Sequence, residues 1–70
     1  MEDNVASTIR DRADTLGLTL TEVYKLAGMS RATFHRRMRA GEFTQLELNA
    51  LAHVLGYRTT AELLGEDAAA

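Results

Sequence analysis

Five cations crowd into the middle of the sequence: Lys25, Arg31, Arg36, Arg37 and Arg39 all fall between Val23 and Gly41, where no Asp or Glu occurs. A guanidinium carries paired N–H donors that match two acceptors on one base edge or two oxygens of a phosphate, so arginines clustered this way suit a polyanion. The whole chain has a net charge of −2, so the part outside 23–41 sums to −7. Such a separation of sign fits a molecule with one basic face and an otherwise acidic, solvated surface. Charge alone leaves a second reading open, in which these arginines pair with acids elsewhere in the fold.

Other chemistries find little to work with. The two histidines, His35 and His53, stand eighteen residues apart and there is no cysteine, so neither a zinc site nor any other metal or cofactor is expected. Ser30 and His35 would point at different angles from one helix, with no third group to orient a base, so no enzyme activity and no small-molecule substrate are expected. The four aromatic residues, Tyr24, Phe34, Phe43 and Tyr57, do not interleave with the cations, so they read as core rather than as a stacking platform for single strands. Absence of cysteine suits a reducing compartment. No apolar run approaches the roughly 18 residues of a membrane span, and the opening Met-Glu-Asp-Asn lacks the features of a signal peptide, so a cytoplasmic protein without membrane contact is expected.

The elements that must position the cations are punctuated by glycine. Proline is absent, and glycines stand at 17, 28, 41, 56 and 65, each after a stretch with apolar residues at three- and four-residue spacing. Five helices in an all-α fold follow. The first spans Asn4 to Leu16, capped by Asp3 or Asn4, with Val5, Ile9, Ala13 and Leu16 on one stripe. Thr19 with Glu22 makes a capping box for a second helix that buries Leu20, Val23, Tyr24 and Ala27. Ser30 caps a third, reaching Arg39 or Ala40, whose large apolar residues are Phe34 and Met38. A second box, Thr44 with Glu47, opens a fourth that turns Leu48, Leu51, Ala52 and Leu55 inward with Leu46 and Val54 beside them. A third, Thr59 with Glu62, opens a short fifth containing Leu63 and Leu64. One domain over 1–65 is expected, with a frayed acidic and alanine tail at 66–70.

Only Gly28 and Met29 separate the second and third helices, which fixes a sharp crossing and presents the third. Advancing about 100° per residue from a buried Phe34, Ala32, Arg36, Arg39 and Ala40 point outward, with His35 and Arg37 on the flanks and Arg31 in the first turn. The run Gly-Leu-Thr-Leu-Thr-Glu-Val-Tyr-Lys-Leu-Ala-Gly-Met-Ser-Arg-Ala-Thr-Phe-His-Arg-Arg-Met-Arg-Ala-Gly at 17–41 resembles the helix-turn-helix of the phage Cro and lambda-repressor-like family, also called the xenobiotic response element (XRE) type. Leu48 to Leu64, with Leu-Ala-His-Val-Leu-Gly-Tyr at 51–57, is similar to that family's fourth and fifth helices.

The resemblance implies a sequence-specific reader of double-stranded DNA, a transcriptional regulator of the Cro or repressor kind in a bacterial or phage-infected cell, with helix 30–39 in the major groove. It places Arg31, Ala32, His35 and Arg36 at base-reading positions. Thr19, Thr21, Lys25, Ser30 and Arg39 would meet phosphates, which orient the protein without reading sequence. One such helix reads few base pairs, so a homodimer on a palindromic site is expected, joined through Phe43, exposed apolar residues of the fourth helix, Leu63 and Leu64. The alternatives are a protein-binding module of the same fold, such as an antirepressor or phage accessory factor, and a DNA-binding antitoxin or recombination factor. Three residues depart from the family pattern. Leu20 stands where glutamine usually braces a reading residue. Tyr24 replaces a small residue, so the second and third helices sit further apart or the ring lies to one side. Arg37 replaces an apolar residue, its stem packing while the guanidinium reaches outward.

Overall fold

Every expected helix forms in the computed structural model, which describes residues 4–65: α1 Val5–Leu16, α2 Leu20–Leu26, α3 Arg31–Ala40, α4 Gln45–Val54 and α5 Thr60–Leu64. The expected tail at 66–70, and Asp3 as an alternative cap, lie outside the described residues. The helix starts follow local chemistry. Asn4 Oδ1 accepts from Ser7 N–H at 3.0 Å, and Ser30 Oγ accepts from Thr33 N–H at 3.2 Å. Thr19 with Glu22 and Thr44 with Glu47 close both halves of their boxes. The third box closes by half: Thr59 Oγ1 accepts from Glu62 N–H, but the Glu62 carboxylate turns to Arg58, whose backbone N–H donates to it at 2.8 Å. Two donors on Arg58, amide and guanidinium, draw that carboxylate away from Thr59.

All five glycines have positive φ, where a Cβ would be strained. Gly28 matters most because its φ of +77° makes the bend between α2 and α3. There the Met29 N–H turns back to the Tyr24 carbonyl at 2.9 Å. Nothing lies within 4 Å of a Cβ built on Gly28, so Gly28→Ala meets only backbone strain. A loss of about 1–2 kcal/mol is expected, readable as a lowered thermal midpoint.

The core lies where α1, α2, α3, α4 and α5 converge, and it centres on Phe34, Ile9, Leu51, Leu55, Leu63 and Val23, each almost wholly buried. Leu48, Ala52, Met38, Tyr24, Ala6 and Ala13 complete it, with Val5, Leu20, Ala27, Phe43, Val54 and Tyr57 packed at its edge. Three expectations need correcting. Leu16 is 43% exposed, because α1 ends there and the chain turns away at Gly17, so Ala6 joins the stripe instead. Leu46 is 80% exposed: it stands two residues, about 200° of helix rotation, from Leu48 and faces away from the core. Leu63, expected on the dimer surface, is buried instead, while its neighbour Leu64 stays 41% exposed.

One side chain ties α1 to the far end of α4. Arg12 Nε donates to the Leu55 carbonyl at 2.9 Å, and its guanidinium lies 4.9 Å from the centre of the Tyr57 ring. A cation at the carbonyl end of a helix also complements the helix dipole. No described helix is long and apolar enough to cross a membrane.

Candidate nucleic-acid interface

The outward face of α3 follows from what its inward face must bury. Phe34 and Met38 are buried, four residues apart on one side of the helix, and this sends Ala32, Arg36, Arg39 and Ala40 into solvent with His35 exposed on the flank, while Arg31 is exposed in the first turn of the helix. Ala32 and Arg36 lie one turn apart, as do Arg31 and His35, so the candidate reading residues share two adjacent ridges. Ser30 starts the helix and is exposed, its hydroxyl engaged by Thr33 N–H. On α2, Thr21 and Lys25 are exposed one turn apart. Thr19 is exposed too, but its hydroxyl and amide both contact Glu22 Oε1, at 3.2 and 2.8 Å, which puts an acid at the end of α2 where a phosphate is expected.

Arg37 leaves this face. Its Nε lies 3.0 Å from Glu47 Oε1, so the guanidinium does not project freely outward as the sequence leads one to expect. It joins the C-terminal half of α3 to the first turn of α4. Pairing with a distant acid therefore accounts for one of the five clustered cations. Lys25, Arg31, Arg36 and Arg39 make no ion pair among the described residues. Four cations without an ion pair among the described residues thus stand on two adjoining helices, with Glu22 the acid on α2, although the chain as a whole is acidic.

Glu47 serves α4 and α3 together. Its partial burial alone would raise its pKa, but the Thr44 backbone N–H, the Arg37 charge and hydrogen bonds from both side chains outweigh that and hold it below the ordinary carboxylate range. Because the folded value is the lower one, the charged form adds stability above the unfolded pKa. That contribution fades as pH falls through the unfolded and then the folded value. The thermal midpoint of Glu47→Gln is therefore expected to fall less than that of the wild type between neutral pH and pH 3. Equal slopes would remove Glu47 as a source of the acid sensitivity. Glu62 is also held low, first by the Arg58 backbone N–H, with burial opposing and the Arg58 and Arg12 charges assisting. It contributes in the same direction.

Tyr24 settles the question of how a large ring fits between α2 and α3. It is buried, its ring centre 5.5 Å from that of Phe34 and 6.2 Å from that of His35, the last pair edge-to-face at an interplanar angle of 66°. The ring fills the junction and extends to the reading face. Leu20, half-buried at the core edge, carries no polar group to brace a neighbour there. The contact between Tyr24 and His35 is the feature of this surface that the sequence did not disclose, and eleven residues separate the two.

A family model described as the antitoxin Xre-like helix-turn-helix domain matches residues 5–56, which covers α1 to α4 and the turn that follows. Comparison with curated proteins and with solved structures returned no match.

Proposed function

The chain belongs to the antitoxin Xre-like helix-turn-helix domain family, a DNA-binding regulator type, and from that premise we propose that it reads a specific duplex sequence by laying α3 in the major groove. The observation that carries this reading is the outer surface of α3. Arg31, Ala32, His35 and Arg36 form an exposed basic ridge around small residues, with no acid on the helix to repel DNA. Arg31 and Arg36 are the residues for guanine O6 and N7, and Ala32 permits close approach to a thymine methyl. Lys25, Arg39 and the Ser30 and Thr21 hydroxyls meet phosphates, with Thr19 the weaker contributor because its hydroxyl serves Glu22.

Occupying a promoter is enough to block polymerase, so repression is the regulatory act in this reading. A homodimer supplies the second half-site. Leu63 is buried and unavailable for that contact, whereas Phe43, half-buried, and Leu64, exposed, border a shallow cleft with Val5 and Leu48. The test is selection from a randomised duplex pool at moderate salt, followed by affinity measured against salt. Two related half-sites about one helical turn apart, bound with affinity that falls steeply as salt rises, are expected. A folded protein that enriches no sequence would overturn the reading and point to a protein partner for the basic face.

A further inference from the structure

The reading face contains one side chain that is held before any ligand arrives. Arg31, Arg36 and Arg39 make no side-chain hydrogen bond or ion pair among the described residues, whereas the His35 imidazole is flanked by two rings. The Phe34 ring lies 5.8 Å from it at 70°, and the Tyr24 ring 6.2 Å away at 66°, both edge-to-face arrangements of the kind aromatic rings favour. Phe34 is fixed by complete burial and Tyr24 by near-complete burial, so the imidazole rests against an immobile wall while its other side remains in solvent.

We propose that Tyr24 is a positioning residue for base recognition: its buried ring holds the exposed His35 imidazole in one orientation on α3, and base preference at the pair His35 meets depends on it. This inference rests on the DNA reading given above and names a specificity determinant within it. A side chain ordered in advance loses less rotamer freedom on binding, so more of its contact energy survives as affinity and discrimination. A flexible arginine on the same helix forfeits part of its contact energy when it is immobilised. The Tyr24 backbone carbonyl accepts from Met29 N–H whatever side chain stands at 24, so a substitution there leaves the hydrogen bond of the turn in place.

The experiment compares binding-site selection by wild type, Tyr24→Phe, Tyr24→Leu, His35→Ala and the double variant Tyr24→Leu/His35→Ala, with a thermal melt of each. His35→Ala is expected to flatten preference at one base pair. Tyr24→Leu is expected to flatten the same pair, about three- to ten-fold in relative affinity, and to leave preference at the arginine-read pairs intact. The double variant should lose no more at that pair than either single variant. Tyr24→Phe, which keeps the ring, should behave as wild type. A folded Tyr24→Leu that retains the preference, or weakens every position alike, would overturn the proposal. Should Tyr24→Leu fail to fold, proton NMR of the free wild-type protein decides. Ring-current-shifted His35 protons with cross-peaks to the Tyr24 ring support the proposal, and unshifted protons without them overturn it. A pool in which the wild type enriches nothing overturns the DNA reading and this inference with it, whereas enrichment by the wild type with an unaltered Tyr24→Leu profile overturns this inference alone.

Discussion

Phe34→Ala is expected to cost about 3–5 kcal/mol of folding stability, measured as a shift in the denaturant midpoint at unchanged slope. Phe34 is the largest fully buried side chain, and it touches three other rings, those of Tyr24, His35 and Phe43. Its removal opens a void where α2, α3 and the segment leading into α4 meet, and the rings around it cannot collapse into that space without losing their own contacts. Small domains hold only roughly 0.05–0.15 kcal/mol per residue, so a chain of this length would lose most of its margin. DNA binding should disappear with the fold, indirectly, because Phe34 faces away from the groove. A variant melting within a few degrees of wild type would show that this residue does not anchor α3.

Arg36→Ala should leave the melt almost unchanged and alter recognition. The side chain is exposed and makes no ion pair among the described residues, so its removal breaks no ion pair described. A loss of about 1–3 kcal/mol in binding is expected, with relaxed preference at one base position rather than uniform weakening. Lys25→Ala provides the contrast: a phosphate contact should weaken all sequences alike and reduce the salt slope by about one. Unchanged affinity and an unchanged site profile for Arg36→Ala would remove this residue from the reading face. The two variants separate the faces of α3, because one changes stability and the other changes sequence preference.

Much of this protein is determined within a few residues of chain, and that part is legible without a structure. Helix starts at Ser30 and Thr44 and the bend at Gly28 depend on hydrogen bonds three residues apart and on the conformation of a single glycine. Arg36 and Arg39 point outward because Phe34 is buried and a helix has a fixed pitch, and Arg31 is exposed because it lies in the first turn, so the composition of the candidate reading surface was also fixed locally. Tertiary structure decided what depends on residues distant in sequence. Arg37 reads as one more cation on the basic face, and only the approach of α4 gives it Glu47 as a partner, ten residues on. Leu46 reads as core because it is apolar, but among the described residues no other helix packs over its side of α4. Arg12 finds the Leu55 carbonyl across forty-three residues, a pairing no local spacing announces. The contact of Tyr24 with His35 belongs to the same class. Local sequence determines which side chains a helix presents, but what each one rests against depends on how the helices pack, because packing alone brings separate stretches of chain within van der Waals and hydrogen-bonding range.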